Sequence, residues 1–161
     1  MARKQFSGEG RVSVVTTIAN RAAPTVAELN AGVDVTAQLA GDGIPNIPME
    51  GSTVDISDAA SLFNKTAPGT FGGQPLEMIL YRDSVGGSET GWAALARGTA
   101  VHIVIRRFGG STLAWATSQK VEVAKGTVLT RESMKPARNE VEKYRVQISV
   151  EEIPEQDATT A

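Results

Sequence analysis

The stretch AVHIVIRR, Ala100 to Arg107, decides the fold class. Val101, Ile103 and Ile105 fall on one side of an extended chain, with His102, Val104 and Arg106 on the other, a period of two that marks a strand. Working outward in both directions, the same alternation returns. RVSVVTTI puts Val12, Val14, Thr16 and Ile18 on one face, and GVDVTAQLA does so with Val33, Val35, Ala37 and Leu39. STVDIS sets Val54 and Ile56 against Thr53, Asp55 and Ser57, and QKVEVAKG alternates too. KYRVQISVEEI holds Tyr144, Val146, Ile148 and Val150 in register. LEMILYRD is apolar on both sides over most of its length, the pattern of a strand covered on two faces. The expected fold is mainly β, a sandwich or barrel-like domain with one or two short flanking helices and a long loop.

Two short helices are predicted. In APTVAELNAG, Thr25 is placed to cap, Glu28 stands three residues on as in a capping box, and Gly32 ends the turn. In SETGWAALARG, Ser88 is the candidate cap, Trp92, Leu95 and Ala96 recur at helical spacing, and Gly98 stands at the exit. Trp92 and Leu95 are expected to pin this helix to the sandwich.

The 161 residues suit one domain, 1–161, and a chain of this size buries about 68–70% of its unfolded surface without staples. Cysteine is absent, which removes thiol nucleophiles, disulfides and thiolate metal sites. Sixteen Lys and Arg against eighteen Asp and Glu give a formal net charge of -2, which disfavours a dedicated nucleic-acid binder. Basic residues gather at Arg106 and Arg107 and at Arg131, Lys135 and Arg138, but no aromatic stacking platform accompanies them. The start, MARKQFSGEGRV, has no apolar stretch behind its basic residues, so no secretory signal is expected, and no segment has the length and apolarity of a membrane span.

Chemistry-bearing patterns are thin. His102 is the only histidine, with no partner at a spacing that marks a metal site or a triad. LYRDSVGGSETGWAALARG resembles a phosphate cradle at first, since Gly86 and Gly91 have the spacing of the outer glycines of a P-loop. A P-loop then needs Lys and Ser or Thr, and here Trp92 and Ala93 follow, so the stretch reads as a corner between strand and helix. No catalytic residue, cofactor or metal is assigned. Two other classes stay open from the residues alone: a small-ligand binder with Trp92 or Trp115 at the mouth of a β-barrel, and an enzyme built from scattered carboxylates.

Between Leu39 and Leu76 the texture turns to Gly, Pro, Asn and Asp, yet the segment carries Ile44, Ile47, Met49, Leu62, Phe63 and Phe71. Long irregular segments inside a compact domain are uncommon and usually functional, and apolar groups on one call for a partner subunit. The expected organisation is an N-terminal arm over 1–10, a long loop excursion over 41–75 and a mobile acidic tail over 154–161. Val- and Ile-rich strands must hide their edges, and closing copies into a ring does so.

The order of segments, APTVAELNAGVDVTAQLAGDG, then STVDISDAASLFNKTAPGTFGG, then LEMILYRD with TGWAAL and VHIVIRR, and finally KYRVQISVEEIPEQDA, resembles the major tail tube proteins of long-tailed, siphovirus-type phages, particularly those of actinobacterial hosts. The resemblance covers nearly the whole chain. It implies a β-sandwich flanked by a helix, hexameric rings whose strands join into an inner barrel, and stacked rings that guide DNA during ejection without binding it specifically. It also implies a virion protein assembled in the host cytoplasm, with itself, the tape measure protein, the tail terminator and distal tail proteins as partners, and no membrane. A head decoration or tail-completion subunit is the neighbouring alternative. Six copies at -2 each carry about -12 per ring, which suits a conduit that does not grip a polyanion.

On this reading Asp42, Ile44, Ile47, Met49, Leu62, Phe63 and Phe71, within Asp42 to Gln74, are the candidate stacking loop between rings. Arg82, Asp83 and Arg106 are candidates for the interface within a ring, so Arg82→Glu is expected to disturb assembly while leaving the subunit folded. Glu77 to Asp83, His102 to Arg106, Lys120 to Ala124 and Arg145 to Ser149 are the candidate lumen strands. Deleting Gly43 to Gly51 or Leu62 to Gly72 is expected to leave a folded subunit unable to polymerise.

Overall fold

A computed structural model describes residues 6, 9–60, 62–82, 89–109 and 114–161. In chain order its elements are β1 (Arg11–Val15), α1 (Val26–Ala31), β2 (Val33–Asp34), a 3-10 turn (Thr36–Gln38), β3 (Met49–Asp55), β4 (Thr66–Gly73) and β5 (Leu76–Tyr81). There follow α2 (Thr90–Ala94), β6 (Ala100–Arg106), β7 (Lys120–Ser133), β8 (Lys143–Val150) and β9 (Glu155–Thr159). One antiparallel sheet runs in the order β2-β1-β6-β7-β8-β5, with β9 also paired to β7, while β3 and β4 form a separate hairpin.

The main sheet curls. Val12 and Val14 of β1 and Leu76, Met78 and Leu80 of β5 stand near opposite ends of the strand order, yet share one buried cluster with Val101, Ile103, Ile105, Val146 and Ile148. A flat sheet would hold β1 and β5 roughly 19 Å apart; twist and curl bring them onto a common core, giving a half-barrel. The opposite face has its own core, in which Val104 meets Val15, Leu29 of α1, Trp115, Val121, Val123 and Ala158 of β9. The two faces of AVHIVIRR thus feed two different cores, and β6 is covered on both sides.

Strand β7 is the spine. Its first half pairs with β6 and β9, and from Gly126 onward it pairs with β8, with a register shift between Val128 and Thr130. A Cβ at Gly126 would lie 1.8 Å from the Ser149 carbonyl oxygen, so only glycine permits this approach of the two backbones. The α1 capping box forms as expected: Glu28 N–H donates to Thr25 Oγ1 at 3.3 Å and Thr25 N–H donates to Glu28 Oε2 at 2.8 Å. Glu28 also accepts from Ala19 N–H at 2.8 Å, and these bonds, Ala19 first, hold its carboxyl below the usual range.

Several expectations change. GVDVTAQLA yields only the two-residue β2, because Asp34 Oδ1 accepts from Thr36 N–H at 2.9 Å and folds the chain into the 3-10 turn. LEMILYRD is covered fully on one face alone: Leu76, Met78 and Leu80 are buried, but Glu77 is exposed and Ile79 and Tyr81 are half-buried. The excursion over 41–75 contains β3 and β4. The tail expected to be mobile is docked, since β9 pairs with β7 and Ala158 and Thr160 are buried. Thr159 N–H reaches Ala22 O at 3.1 Å and Ala161 N–H reaches Pro24 O at 3.0 Å. Gly86, Gly87 and the cap expected at Ser88 lie outside the described residues.

Candidate functional site

The features that stand out on this subunit are surfaces rather than a cleft. The first is the β3–β4 hairpin, held together by its own ladder and by Ser52 Oγ donating to Thr70 O at 2.7 Å. Period-two pairing leaves both its faces to solvent because no layer of the main sheet lies over it: β3 is exposed from Glu50 onward. Val54, Ile56, Phe63 and Phe71 are all more than half exposed, and Leu62 is fully so. Of the proposed stacking residues, Asp42 and Ile44 are exposed and Met49 is half-buried. Ile47 is different: it is 6% exposed and belongs to the subunit's own core. Val54 and Ile56 carry exposed apolar surface that the alternation of STVDIS had marked only as one face of a strand.

A second feature surrounds Trp92. Helix α2 sets Leu95 into the core and turns Trp92 edge-on to Tyr144, at 4.9 Å and 82° between rings. Two guanidinium groups stack on that indole, Arg82 at 4.4 Å and Arg131 at 3.9 Å from the ring centroid. Arg82 donates to both carboxylate oxygens of Glu89, at 3.1 and 3.0 Å, and to Glu142 at 3.3 Å. The Glu89 bonds raise its pKa further above the usual arginine value. Asp83, its sequence neighbour, lies outside the described residues.

Arg106, expected at the boundary between subunits, is 0% exposed and sits inside its own subunit. Its Nε donates to Glu9 O at 3.0 Å and its NH1 to Ala114 O at 2.8 Å and Gln119 Oε1 at 2.9 Å, with Trp115 5.4 Å beneath. Burial, then the charge of Arg11, pushes its pKa down. The alternation of AVHIVIRR put Arg106 on a face; that Glu9 and the segment from Ala114 to Gln119 cover it there was invisible in it.

His102 is buried mid-strand, and its Nδ1 has no hydrogen-bond partner among the described residues. Burial foremost, with Lys125 and Arg21 nearby, lowers its pKa, so the neutral form is favoured. It floors a shallow polar depression of ≈ 320 Å³ whose rim holds Arg21, Lys125 and Glu152 in ion pairs. Among the described residues no three metal-ligating side chains gather.

The third surface is the polar face of β5, β8 and the second half of β7. Arg145 pairs with Glu132 and reaches Glu77 at 4.0 Å, while Gln147 donates to Glu77 Oε2 at 3.2 Å. Thr130 and Gln147 side chains meet at 3.3 Å. Of the four candidate lumen strands, this places the Glu77 and Arg145 segments on an exposed polar face. It withdraws His102 to Arg106, which is buried on both sides. In Lys120 to Ala124, Val121, Val123 and Ala124 are buried.

A family model described as "Phage tail tube protein" matches residues 1–161. Comparison with curated proteins gives no match. Among solved structures, the chain is similar in fold to a chain in the cryo-EM structure of the anti-feeding prophage (AFP) baseplate, 6-fold symmetrised. The TM-score is 0.57 at 10% identity, over 94% of this chain and 95% of that one.

Proposed function

The chain belongs to the phage tail tube protein family, and from that premise we propose that copies of it close into rings of six that stack into the tail tube of a siphovirus-type phage and conduct DNA during ejection. Membership makes it a structural, non-enzymatic component of the phage tail and hence of the virion. The observation that carries the proposal is the match along the whole chain. Support for six subunits comes from the sixfold assembly whose subunit it resembles in fold. The segment order of the sequence favours an actinobacterial host.

The hairpin, with Leu62, Phe63 and Phe71 in solvent, is our candidate for contact between rings, and the Arg82 cluster for contact within one. The face of Glu77, Glu132, Arg145 and Gln147 suits a lumen: Arg145 pairs with both carboxylates, so its charge is met within the subunit. Tape measure protein, tail terminator and distal tail proteins complete the proposed partners. Electron microscopy of the purified protein tests this. Stacked rings are expected; a monodisperse monomer at every concentration, together with tails that lack the chain, would overturn it.

A further inference from the structure

An early loop and the last residues of the chain meet across one strand, and His102 lies beneath their meeting place. Strand β6 carries it between Val15 of β1 and Lys125 of β7, on the face it shares with Val104 and Arg106. There the loop of residues 16–24 approaches the segment of residues 151–155 around the polar depression that His102 floors. Arg21 spans the two, donating to Ile153 O at 3.2 Å and pairing with Glu152. Lys125 holds the same carboxylate from β7. Further along, Thr159 N–H donates to Ala22 O at 3.1 Å, Ala161 N–H to Pro24 O at 3.0 Å and Val26 N–H to Ala161 O at 3.2 Å. These contacts form a clasp. Releasing it would strip β9 from β7 and Ala158 from the cluster of Trp115 and Val121.

Protonation of the imidazole works against the closed arrangement. The residue is 9% exposed, and its Nδ1 has no hydrogen-bond partner among the described residues. A neutral ring can leave Nδ1 bare, but an imidazolium carries N–H on both nitrogens, so protonation sets a charged donor where nothing receives it. The charges that face the ring are Arg21 from the loop, Lys125 from β7, Glu28 from α1, and Glu152 and Glu155 from the C-terminal segment. Strand β1 adds only Val15 and the backbone that leads to Thr16. Glu152 is shared by Arg21 and Lys125, and Glu28 by the Ala19 and Thr25 N–H groups, so both carboxylates are engaged before the ring is charged. Burial foremost lowers the ring's pKa, against the pull of the Thr16 and Val15 backbone, and the two cations add to the lowering.

We propose that His102 is an acid-sensitive latch: neutral, it lets the loop of residues 16–24 close on the C-terminal arm, and on taking a proton it loosens both. The opened chain binds this proton near the ordinary 6.5, the closed chain only at lower pH. Closure is therefore fully favoured above pH 6.5 and weakens as the pH falls toward the ring's lowered value. Glu152, held down first by its Lys125 hydrogen bond, and Glu28, held down first by the Ala19 N–H, keep their charges below the ordinary 4.5. The loss that begins at 6.5 thus comes from the ring and not from them. The latch lies within one subunit and stands whether or not copies assemble.

His102 is the only histidine, so its ring resonances in the NMR spectrum of the full chain report this titration alone. The imidazole should titrate below 6.5. Between about pH 7.5 and about pH 5 the exchange protection factors of the Thr159 and Ala161 amides should fall roughly 10-fold, as a shift of about one unit gives, while the amides of β5 and β8 hold theirs. His102→Gln, which cannot take the proton, should keep the Thr159 and Ala161 values constant over this range. A titration at or above 6.5, protection that does not change with pH, or an equal loss across every strand would overturn the latch. So would an unaltered loss in His102→Gln. Should that variant fail to fold, the parent decides alone: the loss must begin near pH 6.5 and level off where the ring has titrated, and a loss that continues past that point counts against the latch.

Discussion

Arg106 carries a charge into a site with no solvent exposure, and three oxygens meet it there. Removing one member of a buried charged set strands the others. Arg106→Ala is therefore expected to lower stability by about 3 kcal/mol, read by urea denaturation. Tyr144 presents the reverse case. It is buried, its hydroxyl has no hydrogen-bond partner among the described residues, and burial pushes its pKa up to about 12 from 10.0. The folded chain thus keeps this proton to higher pH than the unfolded chain does. The site's contribution is full below pH 10 and is lost as the pH rises toward 12. Tyr144→Phe retains the edge contact with Trp92, so stability at neutral pH should hold or rise and part of the alkaline decline should vanish. Denaturation curves across that range, with phenolate absorbance of the parent, check this.

The β3–β4 hairpin shares no core with the main sheet, and its apolar side chains face solvent. Replacing residues 51–71 with an Asn-Gly turn should leave the melting temperature within a few degrees and abolish tubes. Deleting Gly43 to Gly51 is a poorer test than the sequence suggested, because Gly43 packs on Ile79 and Ile47 belongs to the core. Elements were legible where local chemistry decides them: Thr25 and Glu28 announce α1, and strict alternation announces β1, β6 and β8. They were illegible where a distant partner decides. TAPGTFGG becomes β4 only because β3 lies beside it, and the acidic EQDAT becomes β9 because β7 offers an edge. The candidate surfaces followed the same rule. Residue type marked Leu62, Phe63 and Phe71 as apolar, but whether Ile47 or Arg106 meets solvent depends on layers contributed from far along the chain.

Net charge acts, on the function proposed, through the assembled tube. With -2 per subunit and Arg145 of the polar face paired with Glu132 and Glu77, DNA should pass without being held. Tubes mixed with duplex DNA at physiological salt should sediment without it, and co-sedimentation there would contradict a conduit of this kind. The strand order also has a temporal meaning. Strand β1 waits for β6, β5 waits for β8, and β7 waits for β9, each a partner supplied from later in the chain. Such long sequence separations slow folding and defer closure of the core until those later strands are made. A nascent chain would therefore expose its β3–β4 hairpin before β8 has joined β7 and closed the core beside it.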